Sequence, residues 1–464
     1  MNLQLDAGET PAVPVKERAR LRTRSKMSTN LNRTDYAEAF PLVAPDALPD
    51  PHSPARARVD SIDLLRGIVM VIMMLDHTRD FVHSGAWQFD PTDLTKTTTA
   101  LFLTRWITHF CAPVFVFLAG TGSYLQVARG KSKSELSRFL ITRGLWLVVL
   151  EFTWVRISVT FSLDYASFLG MMQVIWVIGI SMIVLAALIH LPFRVIGGFG
   201  VGMIALHNLL DRFQVQGWRG PNSPVPGFWS KLFIIFHQAN EPFPILGWPS
   251  PVLFVLYPLI PWMGVMAAGY AFGSLYQMTV ERRRRLLLLM GSAATALFII
   301  LRATNLYGDP SPWSRQNGTT FTLLSFLNTT KYPPSLLFLL MTLGPALLAL
   351  RWFETGSSQP SGPHTLWRRL RDFFVTFGRV PLFFYLLQWP VAHLISVFVH
   401  FAAGKPWRWM FGTLLGVSSP PPGVGFNLWV VYACWIAGVL LLYPLCKWFA
   451  GVKARRKDWW LSYL

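Results

Sequence analysis

Ten runs of about twenty mostly apolar residues, separated by short polar connections, constrain this chain more than any other feature. They lie near residues 62–80, 99–126, 138–158, 167–190, 193–211, 250–277, 285–304, 333–352, 373–400 and 426–450. A helix rises ~1.5 Å per residue, so each run can cross the ~30 Å hydrocarbon core of a bilayer. Composition argues against a soluble alternative. Charged residues make up 14% of the 464, against about 25% in soluble domains, while the chain carries 20 Trp and 35 Phe. The expected fold is all-α, a polytopic transmembrane helical bundle of about ten spans.

The polar connections orient that bundle. Arg129, Lys131, Lys133 and Arg138 follow the second run, Arg282 to Arg285 follow the sixth, and Arg368, Arg369 and Arg371 follow the eighth. Lys453, Arg455, Arg456 and Lys457 close the chain. Ten crossings place all of these on the side of the N-terminus, and one miscounted span would scatter them to alternating sides. The positive-inside rule then puts both termini in the cytoplasm. The formal net charge of +19 is thus a topology signal. It forms no single stripe or motif, so a nucleic-acid partner is not expected.

Residues 1–56 are polar and basic and have no apolar segment fit for a signal peptide, so they read as a disordered cytoplasmic tail. Met27 is a second candidate start, and Lys16, Arg18, Arg20, Arg22, Arg24 and Lys26 could touch anionic lipid headgroups. Residues 57–450 form the membrane domain, and 451–464 a short basic cytoplasmic tail. Cys111, Cys434 and Cys446 are too few and too apolar in setting for a disulfide framework or a metal site, and no metal is expected.

Charges inside spans are costly unless paired or hydrated, which makes them the first place to look for function. The first run, SIDLLRGIVMVIMMLDHTRDF, is the richest. Asp63 and Arg66 stand three apart and can pair on one face. His77 follows Arg66 by eleven residues, about three turns and ~16 Å further along nearly the same face. Asp63, Arg66, Met70, Met73, His77 and Asp80 make one stripe that should face protein, with Asp76 and Arg79 flanking the histidine. A structural Asp63–Arg66 pair is the competing reading at one end. His77 beside two carboxylates favours function at the other. In the second run, TRWITHFCAPVFVFLAGTGSYL, Arg105 and His109 stand at i and i+4, and Gly120, Gly122 and Ser123 allow close packing. His109 is either a satisfied core residue or a second lining residue of the same cavity. His237 and Glu241, in an outer loop, read as solvated, and Asn317 and Asn328 begin glycosylation-type triplets short enough to arise by chance.

The run RVDSIDLLRGIVMVIMMLDHTRDF followed by ITHFCAPVFVFLAGTGSYL resembles the bacterial relatives of heparan-alpha-glucosaminide N-acetyltransferase. Arg66-Gly67 with His77 eleven residues on is also similar to the first-span signature of membrane acyltransferases that O-acylate bacterial surface sugars. A late segment, FGRVPLFFYLLQWPVAHLI, is similar to the family's Gly-Arg…Tyr-Leu-Leu-His element, with Gln388 where relatives commonly carry His. The resemblance spans roughly residues 57–450. Aligning Pro113 with the family's Pro before the second span puts Ala100 where the family's proposed catalytic His stands. That His does not carry over, and His77 or His109 would have to serve.

The resemblance implies a membrane-embedded acyltransferase of the cytoplasmic (inner) membrane. It would move an acetyl or short acyl group from cytosolic acyl-CoA, with acetyl-CoA as co-substrate, to a sugar-like hydroxyl or amine reached from the outer face. Its partners would be the lipid bilayer, the acyl-CoA donor and a carbohydrate or glycolipid acceptor. His77 would be the base or acyl carrier, Asp76 or Asp80 would hold its tautomer, and His109 would support the cavity. Arg66, with Asp63, would serve the donor's pantetheine arm. The alternative class is a secondary transporter or exporter of a sugar or lipid-linked substrate, which intramembrane Asp, Arg and His also suit. No repeat of the first-run motif occurs around the sixth and seventh runs, which counts against it. A scaffold without chemistry ranks last, since it has little reason to keep a costly charge stripe.

Overall fold

The structure is a computed structural model that describes residues 59–86, 88–355, 366–412, 421–456 and 458–464. The expected tail, its basic cluster and Met27 lie outside the described residues. So does Lys457 of the closing basic group. The described chain is mostly helical. It runs α1 (Asp60–Val82), α2 (Thr99–Thr108), α3 (Cys111–Ala128), α4 (Lys133–Leu150), a π turn (Glu151–Val155) and α5 (Arg156–Thr160). Next come β1 (Phe168–Met172), α6 (Val174–Leu188), α7 (Phe193–Leu206), α8 (Phe228–Phe236), β2 (Glu241–Pro244), β3 (Val252–Val255) and α9 (Trp262–Phe272). The remainder is α10 (Val280–Thr304), α11 (Thr319–Leu327), α12 (Leu336–Thr355), α13 (Leu366–Arg379), α14 (Pro381–Ala402) and α15 (Leu428–Arg455).

Six stretches are long and apolar enough to cross a membrane by length and composition. They are Thr99–Ala128, Phe193–Arg212, Val280–Thr304, Leu336–Glu354, Pro381–Ala402 and Leu428–Arg455. Helix α1 is long enough too, but its charges set it apart, and they are tolerated because it is the central helix. It packs against α2, α3, α12, α13, α14 and α15, so few of its side chains can reach lipid. Asp60 and Asp63 in its first turn and Arg79 in its last complement the helix dipole.

Glycines at several packing joints bring backbones together, two of them beside α1 and α3. A Cβ on Gly67 of α1 would lie 1.8 Å from the Phe374 carbonyl oxygen of α13, and one on Gly378 would lie 1.8 Å from that of Asp63. Only glycine fits at either position. Gly120 of α3 and Gly269 of α9 make a similar joint, each 2.0 Å from the opposite backbone oxygen. Gly122, expected to pack closely as well, has nothing nearby.

The all-α expectation needs correcting in two places. The runs at 167–190 and 250–277 are not continuous helices: each begins as strand, and β1, β3 and β2 form one small sheet in that order. β1 runs parallel to β3, with Met172 opposite Val255, and β2 antiparallel, with Glu241 opposite Val255. Pro249 and Pro251 ahead of β3, and Pro258 and Pro261 after it, delay the helix until Trp262. Non-helical backbone at membrane depth persists only where protein or a cavity shields it, and this sheet forms a cavity wall. The run at 373–400 is likewise two helices. α13 ends at Arg379, Val380 leaves helical geometry, and α14 restarts with Pro381 in its first turn.

Candidate active site

A cavity of about 480 Å³ opens at the C-terminal end of α1. Met73, Asp76, His77, Arg79 and Asp80 line it from α1, Arg105 and Thr108 from α2, and Trp389 from α14. The sheet and its flanks add Phe168, Met171, Gln173, Asn240, Phe254 and Tyr257. Phe89, Asp90 and Pro91 come from the α1–α2 connection, and Lys331 with Tyr332 from the segment before α12. The size is that of a small-ligand site.

Asp76 organises the charges. Its Oδ1 lies 3.0 Å from Arg79 Nη2, and its Oδ2 lies 2.5 Å from Arg105 Nη1 and 3.9 Å from Lys331 Nζ. Arg79 also holds Asp80, 2.5 Å from Nη2 to Oδ1. Three cations therefore converge on two carboxylates in a largely buried setting, where an unpaired charge would be costly. Lys331 lies 5.1 Å from the Tyr332 ring centroid. Burial alone would raise the Tyr332 phenol, but Lys331 and Arg105 beside it, with the bond to Tyr257, draw it below the ordinary tyrosine range.

His77 is held differently. Its ring stacks on Trp389 with centroids 3.6 Å apart and planes 22° apart, and Tyr385 meets it edge-on at 6.5 Å. Its Nδ1 is buried with no hydrogen-bond partner. Asp76 and Asp80, expected to fix its tautomer, spend their hydrogen bonds on Arg105 and Arg79. Aromatic stacking, not a carboxylate, orients the ring.

The remaining expected site residues lie elsewhere. His109 is buried against Phe338, with ring centroids 5.3 Å apart, and is not among the residues lining the cavity. It sits at the junction of α2 and α3, where the chain turns it into the core. Arg66 and Asp63 also stay outside the cavity. Arg66 Nη1 donates to Asp63 Oδ1 at 3.2 Å and to the Gly378 carbonyl at 3.4 Å, beside the Gly67–Gly378 joint. Gln388 is fully buried, and both its amide atoms lack partners. Lys331 and Gln173 escaped the sequence reading, and Arg105 entered it only as a neighbour of His109. A lysine immediately ahead of Tyr-Pro-Pro and an apolar run, in a loop poor in basic residues, was the available signal for Lys331.

Residues 58–307, more than half of the chain, match the family described as heparan-alpha-glucosaminide N-acetyltransferase, catalytic. The chain belongs to this family. Within the heparan-alpha-glucosaminide N-acetyltransferase match lie Asp76, His77, Arg79, Arg105 and Gln173, while Lys331, Tyr332 and Trp389 complete the cavity from beyond it. No curated protein matches the chain. Family and helices together make this a multi-pass membrane protein of an acetyltransferase family, which generally uses acetyl-CoA as donor. The exporter reading is not favoured. Among the described residues, no group of His, Cys, Asp and Glu could hold a metal ion.

Proposed function

We propose that this protein moves an acetyl group from acetyl-CoA to a hydroxyl or amine, on a sugar or similar acceptor, at the cavity around His77. The observation that carries this reading is the placement of an imidazole, held by stacking on Trp389, in the wall of a small-ligand cavity beside a buried ion cluster. His77 takes the acceptor's proton as its oxygen or nitrogen attacks the thioester carbonyl. The new C–O or C–N bond forms, the C–S bond breaks with its electron pair on sulfur, and that sulfur ends with the proton. Arg79, Arg105 and Lys331 supply the positive field in which a developing oxyanion is stabilised.

The cavity accommodates the thioester end of the donor, not the nucleotide. The Gly67–Gly378 joint leaves no room for a pantetheine arm between α1 and α13, so the arm has to approach along another face. In this reading the bundle crosses the inner membrane ten times with both termini in the cytoplasm. The basic connections are cytoplasmic, and the cavity lies toward the outer face, where the acceptor enters.

The test is to reconstitute the purified protein in liposomes with radiolabelled acetyl-CoA and amine or hydroxyl sugars. The reading expects CoA release with label on the acceptor. No release with any acceptor, alongside passage of a labelled sugar across the bilayer, would return the exporter reading.

A further inference from the structure

Beside the main cavity lies a second one of about 10 Å³, lined by Glu151, Arg156, Val159, Thr160, Phe168, Met171 and Gln173. Four of these, Val159, Phe168, Met171 and Gln173, also line the main cavity. That volume is the size of one water, and a buried water needs two to four polar partners. Glu151 Oε1, Arg156 Nε and the Gln173 amide offer them.

Glu151 is the unusual member. It is 1% exposed, in the interior of an apolar run, and begins the π turn Glu151–Val155. Turns of this kind recur at functional sites. Its carboxylate sits at the start of α6, and Trp176 N donates to its Oε2 at 3.0 Å. Its Oε1 is buried with no hydrogen-bond partner, as is Arg156 Nε in the same cavity. The groups around it are Arg156 of α5, Tyr385 of α14, which packs against the π turn, and the N-terminal amides of α6. Arg156 directs both terminal nitrogens to backbone carbonyls, those of Ser162, Asp164 and Phe168. It therefore does not neutralise Glu151 with a direct ion pair. A helix cap needs only one carboxylate oxygen; the second is left over, in a residue that lines a one-water cavity.

We propose that Glu151 is a proton-holding group that exchanges a proton with the main cavity through one water bound by Arg156 and Gln173. Its chemistry rests on the acetyl-transfer reading. The acceptor's proton passes to His77, waits on Glu151 as a neutral carboxylic acid, and returns to the CoA sulfur as the C–S bond breaks, so no net proton is consumed. Glu151 acts on the reaction through water, and its signature is therefore a titration as well as a rate.

The test compares the full-length wild type with Glu151→Gln, which keeps an oxygen to accept from Trp176 N but cannot take a proton. Infrared difference spectra between neutral and alkaline pH should show loss of a protonated-carboxyl band in wild type, a change that is missing in Glu151→Gln. Acetyl-CoA turnover should fall by about a hundredfold, with a changed pH profile and an unchanged melting temperature. Identical infrared difference spectra would overturn the proposal, and this outcome does not depend on any turnover. Wild-type turnover and pH profile in Glu151→Gln, with loss of folding only in Glu151→Ala, would also overturn it and leave Glu151 a cap for α6. If Glu151→Gln does not fold, Gln173→Leu removes the polar group common to both cavities. A shifted carboxyl band in that variant supports the proposal, and an unshifted one overturns it.

Discussion

The two ends of α1 carry the same local device and use it differently. Near its start Asp63 and Arg66 pair at 3.2 Å, and near its end Asp76 and Arg79 pair at 3.0 Å, each three residues apart. At the first end the neighbour is the backbone of α13, closed against Gly67, and Arg66 also donates to the Gly378 carbonyl. At the second end the neighbours are Arg105, Lys331 and Asp80, a stacked imidazole and a cavity. An intrahelical ion pair is thus uninformative about role by itself. What the facing elements present decides whether it clamps two helices or lines a cavity.

The largest effect expected from this contrast is at the closed end. Gly378→Leu forces a side chain into the Asp63 carbonyl, so folded protein should not be recovered in size-exclusion chromatography. A monodisperse, thermally stable variant would mean that α1 and α13 are not locked there. The next effect lies at the open end. Asp76→Asn leaves three cations without their shared carboxylate and should destabilise by about 3 kcal/mol. Adding Lys331→Met should recover part of that loss, since the two changes are in direct contact and should not add. Strict additivity in melting temperature would sever Lys331 from the cluster. The smallest effect is Arg66→Ala, about 1 kcal/mol from two hydrogen bonds near a helix joint. A loss of acetyl-CoA affinity at unchanged stability would instead restore Arg66 to the donor side.

Much of this was legible in the residues. Apolar run length identified a membrane bundle, and charges persisting in the first run marked α1 as a protein-facing helix with His77 on its inner side. What hydropathy could not carry was strand. FLGMM and VLFV are as apolar as any helix turn, and short apolar runs have no period that separates the two. Proline spacing around 249–261 was the better indicator. Spacing placed Arg105 four residues before His109 and named no partner for it; its guanidinium crosses to Asp76 on α1. Lys331 reaches the same carboxylate from a loop far along the chain, a contact no local pattern encodes. Glu151 was passed over in the sequence, although a lone acid in an apolar run points to function by default. Its meaning depended on the π turn and on the start of α6, which only the fold brings together.

The central claim is that chemistry belongs to the open end of α1 and architecture to the closed end. The most direct measurement is acetyl-CoA turnover by His77→Ala and Arg66→Ala, assayed in parallel in liposomes with melting temperatures recorded for both. The account predicts that His77→Ala melts like wild type but turns over at least about a hundredfold more slowly, whereas Arg66→Ala melts lower and keeps near-wild-type turnover. Wild-type turnover in His77→Ala, with loss of turnover at unchanged stability in Arg66→Ala, would contradict it.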